Sequence, residues 1–233
     1  MKVMVLVPAY NEERTIEDVL DSIQTHLPET HIVVVNDGST DGTRQILEKR
    51  PETVALHHPF NMGIGGAIRT GLHYFLSGPW DVCLRLDGDG QHPPEQATQL
   101  LKPLIEEQAD AVIGSRFLEK KGYQSSFQRQ GGIKLLHFLS RFILGLKITD
   151  NTSGFKAYTR EVIAGIIDEF PSDYPEPIEV YLISKKGFTI VEIPVHMKER
   201  QGGLSSIGFL ESYYYMAKVL LTIGVHFFIG GKK

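Results

Sequence analysis

The sequence predicts an α/β protein: a mostly parallel sheet with helices on both faces and a C-terminal amphipathic helical elaboration. Three observations carry this. Short, wholly apolar runs alternate with longer amphipathic stretches through the first half of the chain. The apolar runs lack the in–out alternation of a half-solvated sheet, so they suit strands buried on both faces. Each run stops at a polar, turn-forming cluster, as strand–loop–helix units require.

Taken in order, Val3–Val7 is the first strand. Asn11 to Ile16 opens a helix that runs to about Leu27, with acidic residues in its first turn and Pro28 beyond it. His31–Val35 is a second strand, and Thr40 or Asp41 can cap a helix through Lys49. Thr53–His57 is a short third strand. The Gly-rich Asn61–Gly66 segment leads into a helix reaching Phe75. Val82–Leu86 is a fourth strand, Pro94–Gln108 a helix, and Ala111–Gly114 another strand. Beyond residue 118 the chain changes character. Glu119–Gly132 is polar and rich in Gly, Ser and Gln, and reads as a loop. Ile133–Ile148 reads as an amphipathic helix with Lys134, His137 and Arg141 on one face. A helix is expected near Arg160–Glu169, a strand over Phe188–Val195 and a loop over Glu199–Ser206. With no repeat or linker, residues 1–233 are expected to form one domain, with a ligand-binding half (1–118) and a second half (119–233).

Bulk properties narrow the function classes. A net charge of −4 does not point to nucleic acid. The single cysteine, Cys83, rules out an internal disulfide framework and a Cys-rich zinc site. The apolar start is broken by Pro8, too soon for a signal peptide, so a cytoplasmic location is expected. The most apolar tail, Tyr213–Gly230, is interrupted by Lys218 and His226, and does not qualify cleanly as a membrane span. It and Ile133–Ile148 suit either core helices or contact with a membrane surface.

The chemistry concentrates where the strands end. In open parallel sheets, ligands bind outside the strand C-termini. Leu84–Leu86 runs straight into Asp87-Gly88-Asp89-Gly90-Gln91-His92. Two carboxylates on one tight loop repel each other unless a cation sits between them, and hard oxygen ligands suit Mg²⁺ or Mn²⁺ carrying a phosphorylated ligand. Three more loops are expected beside this one. Pro8-Ala9-Tyr10-Asn11-Glu12 offers a ring to stack on a base and a carboxylate to accept from it. Asn36-Asp37-Gly38-Ser39 places a carboxylate near a ribose or base. Gly114-Ser115-Arg116 offers a guanidinium for phosphate. Each alone is an ordinary turn, helix start or ion pair. Four at successive strand ends point to one site.

These motifs, with Asn-Met-Gly-Ile-Gly-Gly-Ala (61–67), Thr-Ser-Gly-Phe-Lys-Ala-Tyr (152–158) and Arg-Gln-Gly-Gly-Leu-Ser-Ser (200–206), resemble the family 2 glycosyltransferases of the GT-A (Rossmann-like) fold. Within them they resemble the polyprenyl-phosphate sugar transferases. The resemblance implies a UDP- or GDP-sugar donor held by Pro8, Ala9, Tyr10, Glu12, Asp37, Asp87, Gly88 and Gln91. It implies Mg²⁺ or Mn²⁺ on Asp87, Asp89 and Gln91, and catalytic parts for Asp89, Arg116, Glu179 and Arg200. Arg129, Lys134, Arg200 and Ser205 would meet a polyprenyl phosphate acceptor. The chain departs from the family pattern at Asn36, at Gly88 where Ala is frequent, and at Ser206 where Lys often stands.

The implied reaction is a single in-line displacement with inversion. A hydroxyl acceptor needs a general base, whereas a phosphomonoester, with a second pKa of about 6, is already anionic. Glu176 and Glu179 are the candidate carboxylates of the second half, while Arg116, Arg129, Lys134, Arg141 and Arg200 supply cations. That balance favours a lipid phosphate, with peripheral contact at the inner face of the membrane, directly or through a small membrane protein. Two alternatives stay open: a family 2 enzyme acting on a hydroxyl of a growing glycan, and a catalytically silent nucleotide-binding subunit.

Overall fold

The computed structural model describes residues 1–118, 148–173 and 175–198. Within them lies a seven-stranded sheet of order β3-β2-β1-β4-β6-β5-β7. The strands are β1 (Val3–Ala9), β2 (His31–Asn36), β3 (Val54–His57), β4 (Val82–Arg85), β5 (Ala111–Ser115), β6 (Lys156–Thr159) and β7 (Ile190–Pro194). All pairings are parallel except those of β6, which runs antiparallel to both β4 and β5. The mostly parallel α/β sheet expected from the apolar runs is therefore present.

The helices are α1 (Ile16–His26), α2 (Thr43–Leu47), α3 (Ile64–Ser77), α4 (Ala97–Ile105), α5 (Arg160–Ile166) and α6 (Glu176–Lys185). Alternate residues of each strand feed opposite cores. Val5, Val7, Val34 and Leu84 pack with α1 and α4 through Ile16, Leu20, Ile23, Leu100 and Leu104. Met4, Leu6, Val33, Val35 and Cys83 pack with α3, α5 and α6 through Ile68, Leu72, Phe75, Ile163 and Leu182. Burial in this second layer pushes the Cys83 thiol up to about 12, leaving it an inert core group.

Three elements depart from the expectation. Lys156-Ala157-Tyr158-Thr159 forms β6, wedged between β4 and β5; its leading lysine conceals a strand whose first three residues are buried. Residues 176–185 form α6 although Pro175 and Pro177 bracket its start. Proline is tolerated in the first helical turn, where its missing N–H has no intrahelical acceptor. Pro94–Gln108, expected as one helix, divides into a 3₁₀ turn (Pro94–Gln96) and α4.

Residues 119–147 and 199–233 lie outside the described residues, and with them the expected loops 119–132 and 199–206 and the segments 133–147 and 213–230. Among the described residues no helix is long and apolar enough to cross a membrane.

Candidate active site

Strand order fixes where a ligand crevice can open. Chain progression runs β1-β2-β3 to one side of the sheet and β4 onward to the other, so the switch point lies between β1 and β4. The loops leaving these two strands diverge there and leave a cleft at their C-terminal ends. Pro8–Glu12 lies on one side of it and Asp87–His92 on the other. The two are joined at the base, where Gly88 N–H donates to the Pro8 carbonyl at 3.3 Å, and the loop after β2 is tied in where Asp37 N–H donates to the Ala9 carbonyl at 2.9 Å.

The wall after β1 is stitched to the loop after β2. Asn11 adopts a left-handed backbone (φ 56°). Its N–H donates to Ser39 Oγ at 2.9 Å, and its Oδ1 accepts from Thr40 N–H at 2.8 Å. Glu12 N–H donates to Thr43 Oγ1 at 2.8 Å. The Glu12 carboxylate is buried and accepts from Thr15 Oγ1 at 2.9 Å. Tyr10, by contrast, is exposed. Asp37 is buried, and its Oδ1 accepts from Met62 N–H at 2.8 Å and lies 2.7 Å from His58 Nδ1. His58 Nε2 in turn lies 2.9 Å from Thr70 Oγ1. Gly38, at φ 69°, lies against the Phe60–Asn61 backbone, where a Cβ would come within 2.4 Å of the Phe60 carbonyl carbon. Only glycine suits both that φ and that approach.

The opposite wall carries the carboxylate pair. Asp89 is buried, and its Oδ1 accepts from Gln91 N–H at 3.0 Å, which closes the turn. Asp87 keeps about a third of its side chain exposed. His92 Nδ1 accepts from Asp87 N–H at 2.9 Å, so a neutral His92 carries its proton on Nε2, which lies 3.7 Å from Asp87 Oδ2. The imidazole is fixed by stacking on Phe155. The Gln91 backbone binds Lys198, whose N–H donates to the Gln91 carbonyl at 3.0 Å. The chain leaving β7 is thus tied to the carboxylate loop.

Two carboxylates, one of them open to solvent, suit a hard divalent cation whose remaining ligands are water and diphosphate oxygens. Among the described residues no group of three or more His, Cys, Asp or Glu side chains gathers. Asp87 and Asp89 alone supply the two hard carboxylate donors on this loop.

Two expected site residues take parts that sequence reasoning did not assign. The Arg116 guanidinium is bound bidentately by Asp150, at 2.7 Å from Nε and 2.7 Å from Nη2, and Nη2 also donates to Thr152 Oγ1. Asp150 is placed by Glu192 on β7, which accepts from Asp150 N–H at 2.8 Å. Burial opposes the Asp150 charge, but the Arg116 bonds outweigh it and hold the carboxyl below its usual value.

Glu179, expected among the catalytic groups, is fully buried. Its carboxylate is bonded to Lys156 Nζ and lies 3.2 Å from Arg85 Nη1. A general base has to reach a substrate proton, and this side chain faces the interior instead. Glu176, the other candidate carboxylate, sits 3.4 Å from Arg85 Nη2; burial raises its pKa, and the neighbouring Glu179 adds to that against the pull of Arg85. Arg85, His92, Asp150 and Gly154 are site neighbours to which sequence reasoning gave no part. The only signal for three of them was their place within quoted motifs. Arg129, Lys134, Arg200 and Ser205 lie outside the described residues.

Comparison with known proteins agrees with this architecture. Residues 4–166 match the family model described as glycosyl transferase family 2. The chain is 31% identical to the polyprenol monophosphomannose synthase of Mycolicibacterium smegmatis, over 88% of this chain and 81% of that protein. It is 32% identical to the undecaprenyl-phosphate mannosyltransferase of Micrococcus luteus, over 89% and 88% of the two chains. In three dimensions it resembles glucosyl-3-phosphoglycerate synthase from Mycobacterium tuberculosis, solved with Mn²⁺, UDP and phosphoglyceric acid. The TM-score is 0.71 at 20% identity, covering 97% of this chain and 78% of that one, a likeness of fold. A switch-point cleft flanked by an Asp-Gly-Asp loop and a Tyr-Asn-Glu loop, in a chain matched by the family model over most of its length, makes this protein a member of glycosyl transferase family 2.

Proposed function

We propose that this glycosyltransferase moves a sugar, with inversion, from a UDP- or GDP-sugar to a polyprenyl phosphate at a membrane surface. The observation that carries the donor side is the Asp87/Asp89 pair facing Tyr10–Glu12 across the β1/β4 switch point. The acceptor class is supported by the names of the two bacterial relatives and by the basic residues that follow the carboxylate loop in sequence.

In this reading residues 1–118 hold the donor and 119–233 meet the acceptor. Tyr10 stacks on the base, and Asp37, fixed by Met62 N–H and His58, bonds to the nucleoside. Pro8, Ala9 and Gly88 shape the cleft floor, and Glu12 braces the Tyr10 wall through Thr15. Asp87 and Asp89, with Gln91 beside them, hold Mg²⁺ or Mn²⁺ on the diphosphate; a dication there supplies Lewis-acid stabilisation of the departing nucleoside diphosphate. The acceptor phosphate needs no proton removed, which agrees with the absence of a solvent-facing base at Glu179. It needs cations: Arg129, Lys134 and Arg200 are assigned to it, with the Ser205 hydroxyl as a further donor and Arg116 completing the wall between the two substrates. The 133–148 sequence, in which Lys134, His137 and Arg141 interrupt an otherwise mostly apolar run, is the assigned membrane contact.

A panel of UDP-glucose, UDP-N-acetylglucosamine and GDP-mannose, each incubated with a short-chain polyprenyl phosphate and Mn²⁺ or Mg²⁺, tests this. One donor is expected to yield a glycosylated lipid phosphate that EDTA abolishes. Transfer to soluble sugar hydroxyls with none to the lipid would replace the acceptor assignment. Nucleotide binding without any transfer would leave a silent binding subunit.

A further inference from the structure

Directly beneath the carboxylate loop lies a fully buried arginine that the reaction outlined above does not use. Arg85 ends β4, two residues before Asp87, and is 1% exposed. Its guanidinium is engaged in three directions: Nε donates to the Gly154 carbonyl at 2.8 Å, Nη1 lies 3.2 Å from Glu179, and Nη2 lies 3.4 Å from Glu176. Glu179 is shared with Lys156, the residue that pairs with Arg85 across the β4/β6 ladder. Two cations and two carboxylates therefore balance in the interior, which is what burying such charge requires.

The partner of Nε is the informative one. Gly154 packs against the Asp87 carboxylate so closely that a Cβ on it would lie 2.7 Å from Oδ2 and 3.1 Å from Oδ1. The same Cβ would come within 2.9 Å of His92 Cε1. The backbone at 154 thus forms a wall behind the Asp87 carboxylate, and Arg85 holds that wall from below.

We infer that Arg85 is a positioning residue: by fixing Gly154 through its carbonyl it sets the placement of the Asp87 carboxylate for a divalent cation. The inference rests on the proposal that Asp87 binds that cation. Lysine at 85 keeps the charge but has one ammonium in place of a planar fork, and cannot serve Gly154, Glu176 and Glu179 together. Loss of a residue that orients a metal ligand from behind lowers metal affinity.

Manganese uptake is followed by electron paramagnetic resonance in the presence of UDP or GDP, and metal-free nucleotide binding by calorimetry, for wild type, Arg85→Lys and Gly154→Ala. The expected result is Mn²⁺ affinity lower by roughly 10–100-fold in both variants with metal-free nucleotide binding unchanged. Variants that fold and take up Mn²⁺ as wild type does would overturn the inference, and so would a parallel loss of metal-free nucleotide binding, which marks a purely structural arginine. Gly154→Ala calibrates the loss when Asp87 is crowded directly; should Arg85→Lys fail to fold, Glu176→Gln, which removes the Nη2 partner of the fork, takes its place, with the same fall in Mn²⁺ affinity expected and wild-type uptake overturning the inference. A wild-type protein that takes up no Mn²⁺ with either nucleotide would instead remove the metal reading itself.

Discussion

Asp89 shows how much a single residue is asked to do. One carboxylate oxygen closes the loop by accepting from Gln91 N–H, and the carboxylate's charge is what the proposed cation would use. Asn at this position keeps the oxygen that closes the turn and removes the charge. Asp89→Asn is therefore expected to fold with an unchanged melting temperature. Transfer should fall by about 10²–10³-fold, the equivalent of several kcal/mol of charge stabilisation at about 1.4 kcal/mol per decade. Initial-rate assays beside thermal melts check this; a loss of stability that tracks the loss of rate would assign Asp89 to the scaffold. The loop was legible in sequence because its residue types and spacing mark a turn at a strand end. Its turn bond was not, since that depends on backbone conformation.

At the scale of elements, β6 and α6 join through buried charge. Glu179 projects from the first turn of α6 onto Lys156 of β6 and Arg85 of β4. Removing one member of such a network leaves an uncompensated charge in the core, at a cost of about 3–5 kcal/mol. Glu179→Gln is expected to lose that much in chemical denaturation, while the activity of the molecules still folded remains. A general base would give the opposite pattern, with rate lost and stability kept. In sequence, Glu179 is simply a carboxylate in the second half of the chain, and a charged side chain reads as solvent-facing. Lys156 concealed β6 for the same reason. Burial was decided by each charge finding its opposite on another element, and those partners lie 23 and 94 residues away.

For the whole molecule, the Arg116–Asp150 pair links the end of β5 to the segment that Glu192 of β7 anchors. Because the folded state holds the Asp150 carboxyl below its usual value, the pair's contribution is fully present above the unfolded carboxylate pKa of about 3.9 and is lost as pH falls below it. Asp150→Asn is expected to cost about 2–3 kcal/mol near neutral pH, discounted for a guanidinium that is about a quarter exposed. Denaturation curves from pH 7 to 3 should show the gap between variant and wild type closing below about pH 4. A gap that stayed constant across that range would mean the pair contributes through packing alone.

By itself the sequence determined the alternation of strand and helix, the parallel sheet, and the carboxylate, tyrosine and glutamate loops at the strand ends. Those signals are local: apolar runs, turn residues and spacing are read within a few positions of one another. Only the tertiary structure decided that β6 enters antiparallel, that Arg116 is clasped by Asp150, that Glu179 faces inward, and that Gly154 backs Asp87. Each of these is a pairing between residues far apart in the chain, and a polar side chain carries no local mark of whether water or a distant partner will satisfy it.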